Sequence, residues 1–209
     1  MAWLQISFQS NSLCGNTRLD VLLPAETPAM LPPRPEGHRW KTVYLLHGLS
    51  GDSTHWLLNS NIQELSQSND LAFVLISGSN SFYLDGASSA SRYSTLIQET
   101  VDFTRRVLPL SRERADTAIA GLSMGGYGSV YNGLRWHETF GHIIALSSAF
   151  VTEQIKTATD EPNILGLNRA YFTQTFGEHE DISLTDRNPA VLAAKIMTEE
   201  TEPIDLYFA

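Results

Sequence analysis

A serine set between two glycines, Gly121-Leu122-Ser123-Met124-Gly125, is where residue types and spacing in this chain first specify a reaction. The short apolar run 117–120 leads into it, and a helix-like stretch of small residues follows. That order holds a serine on a sharp strand-to-helix turn, hydroxyl outward, with a backbone N–H beside it. The chemistry is attack by the hydroxyl on an acyl carbon, the N–H of Met124 facing the oxygen that becomes negative. The glycines have a steric reason: side chains there would collide where strand and helix approach closely. A second donor is expected from His47-Gly48-Leu49, a loop leaving a neighbouring central strand, with Leu49 acting through its backbone N–H. His47 itself, placed ahead of that loop, reads as a structural hydrogen-bonding residue rather than a base.

Rival readings of the same residues fail on spacing. A phosphate-binding loop needs Gly-Lys-Ser/Thr, and no lysine follows these glycines. A dinucleotide fingerprint starting at Gly126 would put Tyr131 where close packing needs a small residue. His137 and His142 are five apart, not the four that would place both on one helix face, so no metal is expected there. Cys14, the only cysteine, lies in a polar turn and excludes an internal disulfide framework.

The elements that must position the serine follow from periodicity. At 209 residues the chain is expected to form one domain, 1–209. Residues 3–8 and 19–23 read as an antiparallel strand pair around the turn at Cys14-Gly15-Asn16. Continuous apolar runs at 42–46, 71–76 and 143–146, with the run before the serine, are the kind buried on both faces of a parallel sheet. Helical spacing lies between them, at 56–65, 94–108 and from the serine to about 135. The expected class is α/β, with a mainly parallel central sheet flanked by helices. Residues 149–195 are mostly polar and read as an excursion over the sheet, with a helix opening at Asn188-Pro189. Residues 203–209 read as a further core strand.

Composition bounds the partners. Hydrophobic residues make up 42% and charged residues 18%, those of an ordinary globular protein. The formal charge of -9 and the lack of a basic cluster argue against nucleic acid. The N-terminus has neither a basic start nor a long apolar run, so a cytoplasmic, non-membrane protein is expected. No cofactor is implied.

Residues 43–51 and 117–128, with Trp56 and the Phe82-Tyr83 loop, resemble the tributyrin esterase branch of the esterase D family of α/β-hydrolases. The resemblance runs from the N-terminal hairpin through Asn188-Pro189. It implies a carboxylesterase acting on short acyl esters, with Ser123 as nucleophile and the amides of Leu49 and Met124 as oxyanion hole. A small-molecule ester is the implied partner, with self-association into a homo-oligomer left open. Phe82 and Tyr83 are expected to line the substrate pocket. Relatives include S-formylglutathione hydrolases, feruloyl esterases and mycolyltransferases, so acyl transfer is the alternative reaction.

The pattern also departs from the family. Family members place an aspartate just after the strand matching 204–208, and a histidine after one more strand. This chain stops before both, and Asp205, His179, His137 and His142 do not fill the gap. The expectation is a C-terminally truncated hydrolase, inactive or very weak as it stands. A hydrolase-like binding protein without catalysis is the reading from another class.

Overall fold

The computed structural model describes residues 1–26, 33–86, 88–178, 182–198 and 202–209. β1 (Ala2–Ser10) and β2 (Gly15–Leu23) form the expected hairpin, in register from Ala2 opposite Leu23 to Ser10 opposite Gly15. β3 (Lys41–Leu46) is followed by two short helices, α1 (His55–Asn59) and α2 (Ile62–Asn69), and then β4 (Leu71–Ile76). The helical spacing at 56–65 thus belongs to two helices, because Ser60 adopts an extended conformation and breaks the run.

α3 (Tyr93–Val107) buries Leu96, Ile97 and Val101, and its last turn carries Arg105 and Arg106, where positive charge suits the helix dipole. β5 (Thr117–Leu122) runs into α4 (Met124–Arg135), whose residues are almost all buried, and then into β6 (His142–Leu146). The strands join in the order β1-β2-β4-β3-β5-β6-β7, with β7 formed by Asp205–Phe208. β2 pairs antiparallel with β4, and the strands from β4 through β7 run parallel.

Alternation along the central strands divides the core. Val43, Leu45, Phe73 and Leu75 face the side of α1 and α2 with Ile62 and Trp56. Tyr44, Leu46, Val74 and Ile76 face the side of α3 and α4 with Leu96, Val101, Tyr127 and Val130. From β3 the chain passes to β4 on one side and then crosses to β5 on the other. The C-terminal ends of β3 and β5 therefore lie side by side where the strand order reverses, the usual position of a site in such sheets.

The polar excursion contains α5 (Thr152–Lys156), α6 (Arg169–Phe176) and α7 (Pro189–Ile196). Asn168 and Asn188 cap α6 and α7 by accepting from the backbone N–H groups of Tyr171 and Ala190. Its aromatics seat it on the core: Phe176 packs 5.1 Å from Phe82 and 5.7 Å from Tyr127 between ring centres. His179 falls outside the described residues.

One expectation is corrected here. β7 pairs with β6 in register, Ile143 opposite Leu206, but it is not a core strand: Leu206, Tyr207 and Phe208 are 44%, 57% and 58% exposed. It is held through one backbone edge, and among the described residues little covers its faces. No described helix is long and apolar enough to cross a membrane.

Candidate active site

Ser123 caps α4 with φ 57° and ψ −113°, a left-handed conformation that costs a non-glycine residue about 1–3 kcal/mol. The surroundings over-determine it. Its N–H donates to Leu146 O at 2.9 Å, and its carbonyl accepts from Tyr127 N–H and Ala149 N–H, each at 3.0 Å. A Cβ on Gly121 would stand 2.1 Å from Gly125 O, and one on Gly125 would stand 2.4 Å from Leu46 O. The glycines therefore let β5, α4 and β3 meet at one point. The partly exposed serine stands at the C-terminal end of β5.

Gly48 adjoins it, a Cβ there lying 3.7 Å from Ser123 Cβ. This places the loop after β3 against Ser123. Within that loop His47 N–H donates to Tyr83 Oη (2.8 Å), Ser50 N–H to Asn80 Oδ1 (2.8 Å) and Gly51 N–H to Gly48 O (3.2 Å). Among the described residues, neither Leu49 N–H nor Met124 N–H has an acceptor within the chain. Met124 is in the first turn of a helix, where amides lack intrahelical partners and the dipole favours negative charge. Two uncommitted amides thus lie on the segments next to the serine.

His47 is buried and wholly engaged. Nε2 accepts from Gly78 N–H at 2.9 Å, so Nδ1 carries the proton and donates to Gly48 O at 2.7 Å. Burial pushes its pKa below the ordinary 6.5, which keeps the ring neutral. No nitrogen is left to take a proton from Ser123, in line with a structural role. His142 contacts Asp205 Oδ2 at 3.0 Å and Ala115 O at 3.0 Å, at the opposite end of the sheet. His137 bonds Leu134 O at the far end of α4. Among the described residues, nothing is hydrogen-bonded to Ser123 Oγ.

The placement of Phe82 and Tyr83 as pocket walls is corrected. Both side chains are fully buried. Phe82 packs among Tyr127 and Phe176, and Tyr83 lies beneath the loop after β3. Aromatics in a polar loop suggested a ligand contact, but the small residues Gly78 and Gly128 open a slot that takes one ring inside. Asn80 carried no sequence signal beyond a polar residue in a loop.

A model of the family described as "Putative esterase" matches residues 10–193. The chain belongs to this esterase family. An acetyl esterase of Caldicellulosiruptor saccharolyticus is 35% identical over 100% of this chain and 79% of its own length. Among solved structures, a substrate-bound fluorophosphonate-binding serine hydrolase of Staphylococcus aureus superposes with a TM-score of 0.83. It is 26% identical, over 99% of this chain and 78% of that one. An S-formylglutathione hydrolase of the same organism gives a TM-score of 0.77 at 25% identity, with the same coverage. The esterase has the α/β-hydrolase fold and is a serine-type carboxylic ester hydrolase. The family model and these relatives uphold the esterase D-like resemblance.

Proposed function

We propose that this esterase cleaves short-chain acyl esters through an acyl-enzyme on Ser123. The observation that carries the reading is the strained serine at the head of α4 between two uncommitted amides. Ser123 Oγ would attack the carbonyl carbon, and the carbonyl oxygen would become an oxyanion held by Leu49 N–H and Met124 N–H. Collapse would expel the alcohol and leave the acyl group on the serine, and water would then release the acid. With no base bonded to Oγ among the described residues, the oxyanion and binding contributions left are worth about 10³–10⁴ over water in studied hydrolases, so slow turnover is expected.

The acetyl esterase relative supports a small acyl group. On the alcohol side, a cavity of about 240 Å³ is lined by Ser79, Asn80, Ser81, Tyr93, Tyr171 and Gln174. It adjoins the loop after β3 through the Asn80–Ser50 bond, and its lining is mixed, with Leu84 and the tyrosine rings beside the hydroxyl and amide groups, which suits an alcohol with both apolar and polar parts. We place the chain in the tributyrin esterase branch and, from its single cysteine, in the cytoplasm. Thioester cleavage is a second reading, favoured by the S-formylglutathione hydrolase likeness. A non-catalytic binding role is favoured by the Ser123 hydroxyl, which has no partner among the described residues.

The test is hydrolysis of p-nitrophenyl acetate by the chain and by Ser123→Ala. Hydrolysis above the buffer rate that disappears in the variant is the expected result. Equal rates in both would remove Ser123 from the mechanism, and no hydrolysis in either would leave the binding role.

A further inference from the structure

We propose that Tyr83 and Asn80, both on the loop following β4, are positioning residues that hold the oxyanion loop from either side of Leu49. The inference rests on the serine-esterase reading above and extends it to residues that act on the oxyanion loop through the backbone groups they bond. A buried tyrosine hydroxyl can satisfy itself on any nearby polar group. Here both of its bonds go to the backbone of one residue: it accepts from His47 N–H at 2.8 Å and donates to His47 O at 3.2 Å.

Much of the neighbourhood serves this placement. Phe82 and Tyr83 take consecutive left-handed conformations, φ 52° and 56°, which bulky residues rarely adopt. A Cβ on Gly78 or Gly128 would come within 2.1 Å or 2.6 Å of the tyrosine ring, so both positions are cut back to admit it. Asn132 Nδ2, itself buried, donates to Tyr83 O at 3.0 Å and fixes the backbone from α4. The His47 ring then locks to Gly78 N–H and Gly48 O, tying the two loops together a second time.

Asn80 works from the other side. Its Oδ1 takes Ser50 N–H at 2.8 Å, and its own carbonyl accepts from Tyr171 Oη of α6 at 2.8 Å. The residue after Leu49 and the residue two before it are therefore both pinned, while Leu49 N–H is left free for an oxyanion. A donor held this way needs no reorganisation as charge develops, and small misplacements of such a donor are costly in rate.

The test compares the unmutated chain with Tyr83→Phe and Asn80→Ala during labelling of Ser123 by a fluorophosphonate, followed by intact-protein mass. The phosphonyl oxygen uses the same two amides, so the maximal labelling rate reports their placement and the half-saturating concentration reports binding. In Tyr83→Phe the maximal rate is expected to fall about 10- to 100-fold with half-saturation within about twofold. In Asn80→Ala the fall is about 3- to 10-fold, with the thermal midpoint unchanged because Asn80 is exposed. A purely structural tyrosine would lower the midpoint and leave the rate per folded molecule alone, which would overturn its role. If Tyr83→Phe does not fold, an unaltered rate in Asn80→Ala overturns the proposal. Absence of label in the unmutated chain would sink the serine-esterase reading itself, whereas normal labelling in all three proteins would remove only the clamp.

Discussion

β5 and β7 are built from the same kind of residue and end in opposite surroundings. Ile119 in β5 is fully buried, while Tyr207 and Phe208 in β7 are more than half exposed. β5 is paired on both edges, by β3 and β6, and covered by α4. Among the described residues, β7 is paired on one edge only. Burial is thus conferred by neighbours rather than by the strand's own hydrophobicity. The site sits where β5, α4 and β3 meet, because a strained serine persists only when surrounding structure holds it.

The contrast can be broken most severely at the elbow. Gly125→Val would drive side-chain carbons into Leu46 O and His47 O, both backbone, and is expected to cost more than about 4 kcal/mol or prevent folding, measured by urea unfolding. Next comes a paired comparison across one rung of the sheet. Ile143→Ala, at a fully buried position of β6, should cost about 2–5 kcal/mol in the same assay. Its register partner provides the last and smallest effect below.

Acidification should weaken the elbow side selectively. His47 is neutral in the fold with its pKa lowered by burial, so below the unfolded value near 6.5 the unfolded chain binds the extra proton first. Stability contributed by the neutral ring is therefore fully present above pH 6.5 and lost as pH falls toward the depressed folded value. Of the ionisable groups near it, His55 lowers its pKa and Asp52 raises it. Thermal midpoints from pH 7.5 to 5 should fall more steeply for the unmutated chain than for His47→Gln.

Ser123→Gly should unfold about 1 kcal/mol later than Ser123→Ala while being equally inactive, since only glycine accepts φ 57° without strain. Leu206→Ala on β7 should change stability by no more than about 0.5 kcal/mol. A loss as large as that of Ile143→Ala would mean that β7 is covered in solution, and the contrast between the two strands would collapse.

Much of the fold was legible because burial on both faces leaves a mark in composition. The apolar runs at 42–46, 71–76 and 143–146, and the apolar run into Ser123, became the parallel strands. The hairpin was legible from alternation, and α7 from Asn188-Pro189, a cap followed by a residue suited to the first helical turn. The break at Ser60 was not, because periodicity survives a one-residue change of backbone direction. The position of the Gly48–Leu49 loop beside Ser123 was legible because it requires only a loop leaving the end of a neighbouring central strand. Tyr83, expected as a pocket wall, is instead buried beneath that loop. A phenol suits either a ligand or a buried hydrogen bond, and only the slot between Gly78 and Gly128 decides which.

What the sequence by itself determined is local: which residues form strands, where a serine is forced onto a tight turn, and which amides follow it. These depend on sterics and periodicity within a dozen residues. Tertiary structure decided the rest. It brought Gly48 beside Ser123, engaged every nitrogen of His47, left Leu49 N–H without an acceptor among the described residues, and exposed β7. Each of these depends on distances between segments far apart in the chain, which no local pattern encodes.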